Sequence, residues 1–170
     1  KERAIELINY GVDKIIFGTV AIENPELIIE LTKDFPYKVI LGIDSKNGKV
    51  ATSGWTKGSD MNSIQLINRF YNYKIDSVIA TDISKDGTLK GPNFYELKTI
   101  AKSSPFPVIA SGGIGSTSDL IALAPLEEDG IKAIILGRSL YDGKIDLQEA
   151  LKIFSGMHIK DKKVNDDLIA

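Results

Sequence analysis

The sequence predicts an α/β fold of the (β/α)8 TIM-barrel type, of which this chain supplies about strands 4 to 8 and their helices. Three observations predict it. Apolar, β-branched runs alternate with helical patterns, the runs are almost continuously apolar as in parallel strands covered on both faces, and polar or glycine residues end every run. The runs are residues 15–19, 39–44, 77–83, 108–113 and 133–139.

Strict alternation of strands and helices also fits an open, doubly wound sheet. An open sheet concentrates its ligands at one switch point, whereas a barrel builds its active site from the carboxyl ends of all its strands. Functional-looking residues end all five runs: Gly18-Thr19, Asp44, Thr81-Asp82, Ser111-Gly112-Gly113 and Gly137-Arg138-Ser139. This succession favours the barrel, although a closed barrel needs eight strands.

Helical spacing and capping residues complete the predicted order, a helix followed by five βα units. Gly11 follows the first helix as a C′ residue, and Asp60, Ser116 and Asp146 are predicted N-caps. Two sets of apolar residues recur at helical spacing: Ile64, Ile67, Phe70 and Tyr71, and Phe94, Leu97, Ile100 and Ala101.

The domain organisation is predicted to be one barrel part, residues 1–155, with a C-terminal extension at 156–170 that carries the lone His158. The opening Lys1-Glu2-Arg3 resembles the middle of an amphipathic helix. We therefore expect the chain to start inside a larger fold.

Composition narrows the class of function. The 170 residues carry a net charge of -2, which offers no general attraction for nucleic acid or anionic membranes. The chain has no cysteine, so thiolate and disulfide chemistry is excluded, and this composition fits a cytoplasmic location. No apolar run approaches the roughly 18 residues of a membrane span, and no His, Asp and Glu cluster has metal-ligand spacing.

Two glycine-rich strand ends indicate a phosphate site. Ser111, Gly112 and Gly113 follow one strand, and Gly137 and Arg138 follow the next, before a short helix expected at Leu140-Tyr141. Barrels often bind phosphate between their last two loops, where glycine lets backbone N–H groups approach the anion. The alternative is that these glycines only make tight turns.

Asp44 is the first candidate for acid–base chemistry, because it ends an otherwise apolar strand. Capping a turn is its structural alternative. A long segment at 45–59 follows, with the hairpin signal Asn47-Gly48 and the only tryptophan, Trp55. Trp55 is a candidate stacking lid for a flat heteroaromatic ligand, or else it packs on the barrel rim.

Thr81 ends the next strand, where its hydroxyl could contact a substrate hydroxyl or carbonyl. The Asp86-Gly87 pair that follows is a turn signal, so Asp86 could simply hold the loop.

Taken together, these motifs resemble the ProFAR isomerase family of histidine biosynthesis. The resemblance runs over about residues 1–155 and rests on five stretches: 42–50, Gly54-Trp55, 81–88, Ser111-Gly112-Gly113 and 137–143. It implies an Amadori rearrangement of an aminoaldose to an aminoketose, with a small bis-phosphorylated substrate and without metal or organic cofactor.

The resemblance also implies roles for individual residues. Asp44 would be the general acid, Thr81 a substrate contact, and Trp55 the residue that stacks on the imidazole. One phosphate site would comprise Ser111, Gly112, Gly113, Gly137 and Arg138, and Gly18 and Thr19 would be part of the other.

This sequence departs from the family pattern in two places. The family's second catalytic aspartate lies on a first strand that this chain lacks, so we expect the chain alone to be inactive. Relatives that also serve tryptophan biosynthesis carry an arginine two residues before the tryptophan, where this chain has Ser53. This difference favours an isomerase of histidine biosynthesis only.

Two alternatives remain. One is the cyclase subunit of imidazole glycerol phosphate synthase, a sister barrel, against which Gly54-Trp55 and Thr81-Asp82-Ile83 argue. The other is a non-catalytic, phosphate-binding half-barrel. The full-length enzyme is expected to be monomeric, whereas the unpaired strand edges of this chain alone favour self-association.

Overall fold

The computed structural model describes residues 1–154 of the chain. His158 and the expected C-terminal extension at 156–170 lie outside these residues. None of the helices in the described part is long and apolar enough to cross a membrane.

The sheet formed by residues 1–154 has seven strands: β1 (Ile15–Phe17), β2 (Val39–Lys46), β3 (Lys49–Thr52), β4 (Lys57–Asn62), β5 (Ser77–Asp82), β6 (Val108–Ser111) and β7 (Ile131–Ile134). Five of them, β1, β2, β5, β6 and β7, pair in parallel and in chain order. A doubly wound sheet would reverse direction at a switch point, and this sheet does not. The barrel-type winding predicted from the sequence is therefore confirmed, with five strands of such a barrel in the described residues.

Helices follow the parallel strands and cover one face of the sheet. They are α1 (Glu2–Asn9), α2 (Val20–Glu23), α3 (Pro25–Asp34), α4 (Ser63–Arg69), α5 (Phe94–Ser103), α6 (Thr117–Leu123) and α7 (Arg138–Tyr141), with a 3-10 turn at Ala124–Glu127. Residues 147–154 are also helical. Leu41, Ile43 and Val78 are wholly buried in the core on this face. On the two edge strands, Ile16 is 58% exposed, and Ile135, just beyond β7, is 42% exposed.

The predicted strand bounds differ most at the last strand, which was expected at 133–139 and lies at Ile131–Ile134. Its partner β6 ends at Ser111, so the ladder closes with the bond from Ile135 N–H to the carbonyl of Ala110. The chain then turns into α7 at Arg138, which confirms the short helix expected there.

The predicted helix caps are confirmed at three positions and wrong at one. Gly11 has φ +95° just after α1, and Ser116 forms a capping box with Asp119 at the start of α6. Asp60 is not a cap, because β4 runs on to Asn62, which caps α4 instead. Asp146 Oδ1 accepts a hydrogen bond from the N–H of Glu149, as an N-cap does.

The long segment after β2 is ordered as a meander of antiparallel strands rather than as an open loop. Asn47 and Gly48 both have positive φ, 54° and 76°, and join β2 to β3 as the predicted hairpin turn. β3 pairs with β4, and the bend between them carries Trp55. The tryptophan is thus held on a short, hydrogen-bonded arm above the end of β2.

Candidate active site

The polar residues that end neighbouring strands lie in one layer. Asp44 of β2 is in register with Thr81 of β5, and Thr81 is in register with Ser111 of β6. Registered residues of parallel strands point to the same face of the sheet. Ile40 and Ile79, on the same face nearer the amino ends, are each 9% exposed, and this face is opposite the one that the helices cover. Asp44, Thr81 and Ser111 therefore line the carboxyl rim of the inner face.

The Trp55 arm closes over Asp44. The indole Nε1 of Trp55 donates a hydrogen bond of 2.8 Å to Asp44 Oδ2, and the indole remains 48% exposed. Two residues earlier, the N–H of Ser53 donates to Thr19 Oγ1 at 3.0 Å. The arm is thus attached to the ends of both β1 and β2.

The bend of this arm has an uncommon backbone. Ser53, Gly54 and Trp55 have φ values of 54°, 64° and 70°, so three consecutive residues lie in the left-handed region. Each non-glycine residue held there costs about 1–3 kcal/mol, and such residues cluster at ligand clamps. The hydroxyl of Thr56 donates to the carbonyl of Ser53 at 2.7 Å and supports the bend. This conformation aims the indole at the carboxylate.

Gly112 and Gly113 bring the end of β6 against the loop that follows β5. Their φ values are 89° and 81°. A Cβ on Gly113 would lie 2.5 Å from the carbonyl oxygen of Gly91 and 2.9 Å from Cβ of Lys85. A Cβ on Gly112 would lie 3.1 Å from the methyl group of Thr81. These glycines therefore do more than turn the chain, because the two loops could not pack this closely around a side chain.

Arg138 approaches the same loop from the far side. Its Nη1 donates to the carbonyl of Gly87 at 3.0 Å, and its Nε donates to Asp142 at 2.9 Å. Arg138 is the first residue of α7 and is exposed, and Gly137 precedes it as N-cap. The last two glycine loops thus both contact residues 83–91, the loop that follows β5.

Asp82 faces away from this rim. Its carboxylate accepts hydrogen bonds from the N–H and hydroxyl of Ser84 and from the side-chain amide of Asn93. Burial alone would raise the pKa of Asp82, but the hydrogen bonds from Ser84 and Asn93 and the charge of Lys85 outweigh it and hold the pKa below the ordinary value. Asp82 is therefore a charged structural group rather than a proton donor or acceptor at the rim.

Behind the rim, Glu96 of α5 joins two strand ends. Glu96 Oε1 accepts the hydroxyl of Ser45 at 2.6 Å, and Oε2 accepts the Nδ2 amide of Asn93 at 3.1 Å. The same Asn93 amide donates to Asp82 at 2.7 Å. Ser45 directly follows Asp44, and Asp82 directly follows Thr81, so this chain of hydrogen bonds lies one residue behind the rim layer.

The sequence reasoning found the rim residues but missed Ser45, Asn93 and Glu96. One signal could have found the last two, because Pro92-Asn93 followed three residues later by Glu96 is an N-terminal capping pattern. Asn93 does cap α5, accepting the N–H of Glu96 at 3.2 Å. Nothing in the sequence indicates that Ser45 contacts them, since 51 residues separate it from Glu96.

The structure brings the predicted residues into two groups. Thr19, Asp44 and Trp55 are linked through the arm, and Thr81, Gly112 and Gly113 pack together, with Arg138 on the adjoining loop. Gly18 directly follows β1, and its carbonyl accepts the N–H of Ala21. Within residues 1–154, no set of three or more His, Asp or Glu side chains is arranged to hold a metal ion.

The winding and the layer of polar strand ends define a βα-barrel enzyme scaffold with an aspartate and glycine-rich loops at its candidate active-site rim. The family model described as "Histidine biosynthesis protein" matches residues 1–146, and the chain belongs to this family.

Two relatives from Prochlorococcus marinus carry the name 1-(5-phosphoribosyl)-5-((5-phosphoribosylamino)methylideneamino)imidazole-4-carboxamide isomerase. The relative from strain MIT 9211 is 51% identical over 169 residues, which is 99% of this chain and 66% of the relative. The relative from strain NATL2A is 50% identical over 160 residues, 94% of this chain and 62% of the relative. A relative of the same name from Synechococcus sp. strain CC9311 is 48% identical over 160 residues, with the same coverage. The chain therefore spans just under two thirds of the length of these relatives.

Proposed function

We propose that the barrel to which this chain belongs converts an aminoaldose into an aminoketose by an Amadori rearrangement, the reaction of ProFAR isomerase in histidine biosynthesis. The observation that carries the proposal is the rim layer of Asp44, Thr81 and Ser111, with the indole of Trp55 hydrogen-bonded to the carboxylate. The relatives named as isomerases support it.

In this proposal Asp44 is the general acid. Its carboxyl group donates a proton to the ring oxygen of the aminoaldose, the ring C–O bond breaks, and the nitrogen lone pair forms the Schiff base. A base then removes the C2′ proton, and the resulting enolamine tautomerises to the ketone. The steps shift protons and rearrange bonds within the substrate without net gain or loss of atoms or electrons, and Asp44 is reprotonated at the end. The product is therefore an isomer of the substrate, and neither an oxidant nor a metal is required.

The base is a group that residues 1–154 do not offer at the rim. Asp82 is committed to Ser84 and Asn93 behind the rim. Asp86 is exposed in the loop beyond it. We assign the base to an aspartate on a strand outside this chain, as the family resemblance implies. The chain alone should then bind part of the substrate without turning it over.

The remaining rim residues would each bind a different part of the substrate. Trp55 would stack on the imidazole with its half-exposed face. Gly112, Gly113, Gly137 and Arg138, with Ser111, would hold one phosphate group, because glycine backbone and a guanidinium both suit phosphate oxygens. Gly18 and Thr19 would contribute to the second phosphate site, at the other edge of the same rim, and Thr81 would contact a substrate hydroxyl.

A completed barrel tests this function. The chain would be joined to the N-terminal third of the relative from strain MIT 9211 and assayed on the aminoaldose, with the chain alone as control. Isomerisation by the completed barrel supports the proposal. Ammonia-dependent cyclisation of the aminoketose, without isomerisation of the aminoaldose, would assign the chain to the cyclase instead.

The half-barrel alternative has one observation in its favour. The outer edges of β1 and β7 pair with no other strand among residues 1–154, and Ile16 and Ile135 are exposed there. Such edges favour association between chains. Sedimentation of the chain alone at several concentrations would show oligomers if the edges drive association, and a clean, folded monomer would count against this alternative.

A further inference from the structure

The ends of β2 and β5 carry polar side chains on both faces of the sheet. Asp44 and Thr81 face the rim, and the next residues, Ser45 and Asp82, face the helices and are 1% and 8% exposed. Buried polar groups require partners, so the environment of Ser45 and Asp82 constrains the two strand ends that bear the proposed catalytic residues.

Glu96 supplies the partner that joins the two ends. The hydroxyl of Ser45 donates to Glu96 at 2.6 Å, the length of a charge-assisted O–H···O⁻ bond. The second oxygen of Glu96 accepts from Asn93, whose same amide nitrogen donates to Asp82. An amide nitrogen has two hydrogens, so one Asn93 side chain serves both carboxylates. Strand ends β2 and β5 are thus attached to the first turn of α5.

We propose that Glu96 is a positioning residue for the isomerisation: through Ser45 and Asn93 it fixes the ends of β2 and β5 and thereby the directions of Asp44 and Thr81. This inference rests on the proposed function. Glu96 itself does not reach the substrate, because it lies on the helix side of the sheet. Its effect is carried by backbone geometry, and a misplacement of about 1 Å at a reacting group can cost about a hundredfold in rate.

Glu96→Gln is the informative variant, because it keeps the size of the side chain. Gln has one acceptor oxygen and no charge, so at most one of the bonds from Ser45 and Asn93 keeps its direction, and neither bond is charge-assisted any longer. Ser45→Ala is the second variant, which leaves the Glu96–Asn93 bond in place. Asp146→Ala is the matched control, since it removes a helix cap after β7, two strands further along the sheet than β5.

The first readout is the fluorescence of Trp55 in the chain itself, which contains no other tryptophan. Because its indole bonds to Asp44, the emission spectrum reports the direction of that carboxylate. We expect Glu96→Gln and Ser45→Ala to shift the spectrum toward that of Asp44→Ala, with Asp146→Ala unchanged. If Glu96→Gln does not fold, the spectrum of Ser45→Ala decides. A wild-type spectrum in a folded variant, whatever its melting temperature, would overturn the proposal.

The second readout is turnover in the completed barrel. We expect both variants to lower kcat by about tenfold to a hundredfold while KM stays near the wild-type value, because positioning affects the reacting geometry more than the phosphate contacts. Loss of thermal stability with unchanged kcat would reduce Glu96 to a structural role. Absence of isomerisation by the wild-type completed barrel would instead contradict the proposed function and leave the fluorescence result standing on its own.

Discussion

The indole N–H of Trp55 donates a 2.8 Å hydrogen bond to Asp44 Oδ2, across eleven residues of sequence. The side chain expected to stack on the substrate therefore also covers the carboxyl group expected to protonate it. Because the bend at residues 53–55 is left-handed throughout, the arm holds the indole in this direction at a conformational cost. In the proposed mechanism, substrate binding and proton transfer therefore meet at one contact.

Asp44→Ala removes the acceptor of this bond. A hydrogen bond is worth about 0.5–1.5 kcal/mol net, so the Trp55 indole N–H should exchange with solvent about twofold to tenfold faster. The measurement is hydrogen exchange at the single indole resonance by NMR. Asp86→Ala, on an exposed neighbouring loop, is the control. Equal exchange in wild type and Asp44→Ala would mean that the bond does not hold the arm.

Gly113→Ala should disrupt the packing of the two loops. The added Cβ would meet the carbonyl of Gly91 at 2.5 Å at a position whose φ is already +81°. Gly11→Ala is the control with similar backbone strain, since Gly11 has φ +95° and a Cβ added there would have no atom within 4 Å. Left-handed strain costs about 1–2 kcal/mol in both variants, and overpacking adds about 1–3 kcal/mol in Gly113→Ala alone. Urea unfolding measures the difference, and equal losses would show that the loops separate easily.

Asp82 should make the stability of the chain depend on acid pH. Burial raises its pKa, the bonds from Ser84 and Asn93 lower it by more, and the folded-state pKa lies below the ordinary value of 3.8. The stabilisation is therefore fully present above about pH 4 and is lost as pH falls through the lower folded-state pKa.

The Asp82→Asn variant tests this dependence through the free energy of unfolding in urea between pH 7 and pH 3. We expect a shallower loss below about pH 4 in the variant than in wild type. Ser84→Ala, which removes the hydroxyl donor and keeps the N–H, should be intermediate. Parallel profiles for wild type and Asp82→Asn would rule out a lowered pKa.

Arg138→Ala tests the proposed phosphate site in the completed barrel. Loss of a charge-assisted contact costs about 1.5–3 kcal/mol, so KM should rise by about tenfold to a hundredfold. Arg138→Lys should recover only part of the affinity, since lysine lacks the planar fork. Lys132→Ala removes a positive charge at the opposite end of β7 and serves as the control. An unchanged KM in Arg138→Ala would place the phosphate elsewhere.

The winding and much of the rim could be predicted from the sequence, because strand ends are local features. A buried apolar run followed by Asp44 or by Ser111-Gly112-Gly113 shows both the strand and its functional end. Bounds that depend on a partner strand could not be predicted, as at β7, where pairing stops with β6. The prediction that Asp60 is an N-cap was wrong for a related reason, since β4 is extended by pairing with β3.

Contacts between residues far apart in the chain could not be predicted from the sequence either. The bond from Ser53 to Thr19 and the bond from Ser45 to Glu96 depend on how separate βα units pack. Neither Ser45 nor Ser53 has sequence neighbours that indicate its hydrogen-bond partner. The roles of Asp44, Thr81 and the phosphate-loop residues stay predictions until the variants are measured.

The most direct test of the central claim is the turnover of the aminoaldose by the completed barrel with and without Asp44→Asn. Asparagine keeps the shape and can still accept the indole bond, but it cannot donate a carboxyl proton. Removal of a general acid should lower kcat by about 10²–10⁴-fold, with the chain still folded and substrate still bound. An Asp44→Asn barrel with wild-type kcat would contradict the assignment of this carboxyl group as the acid.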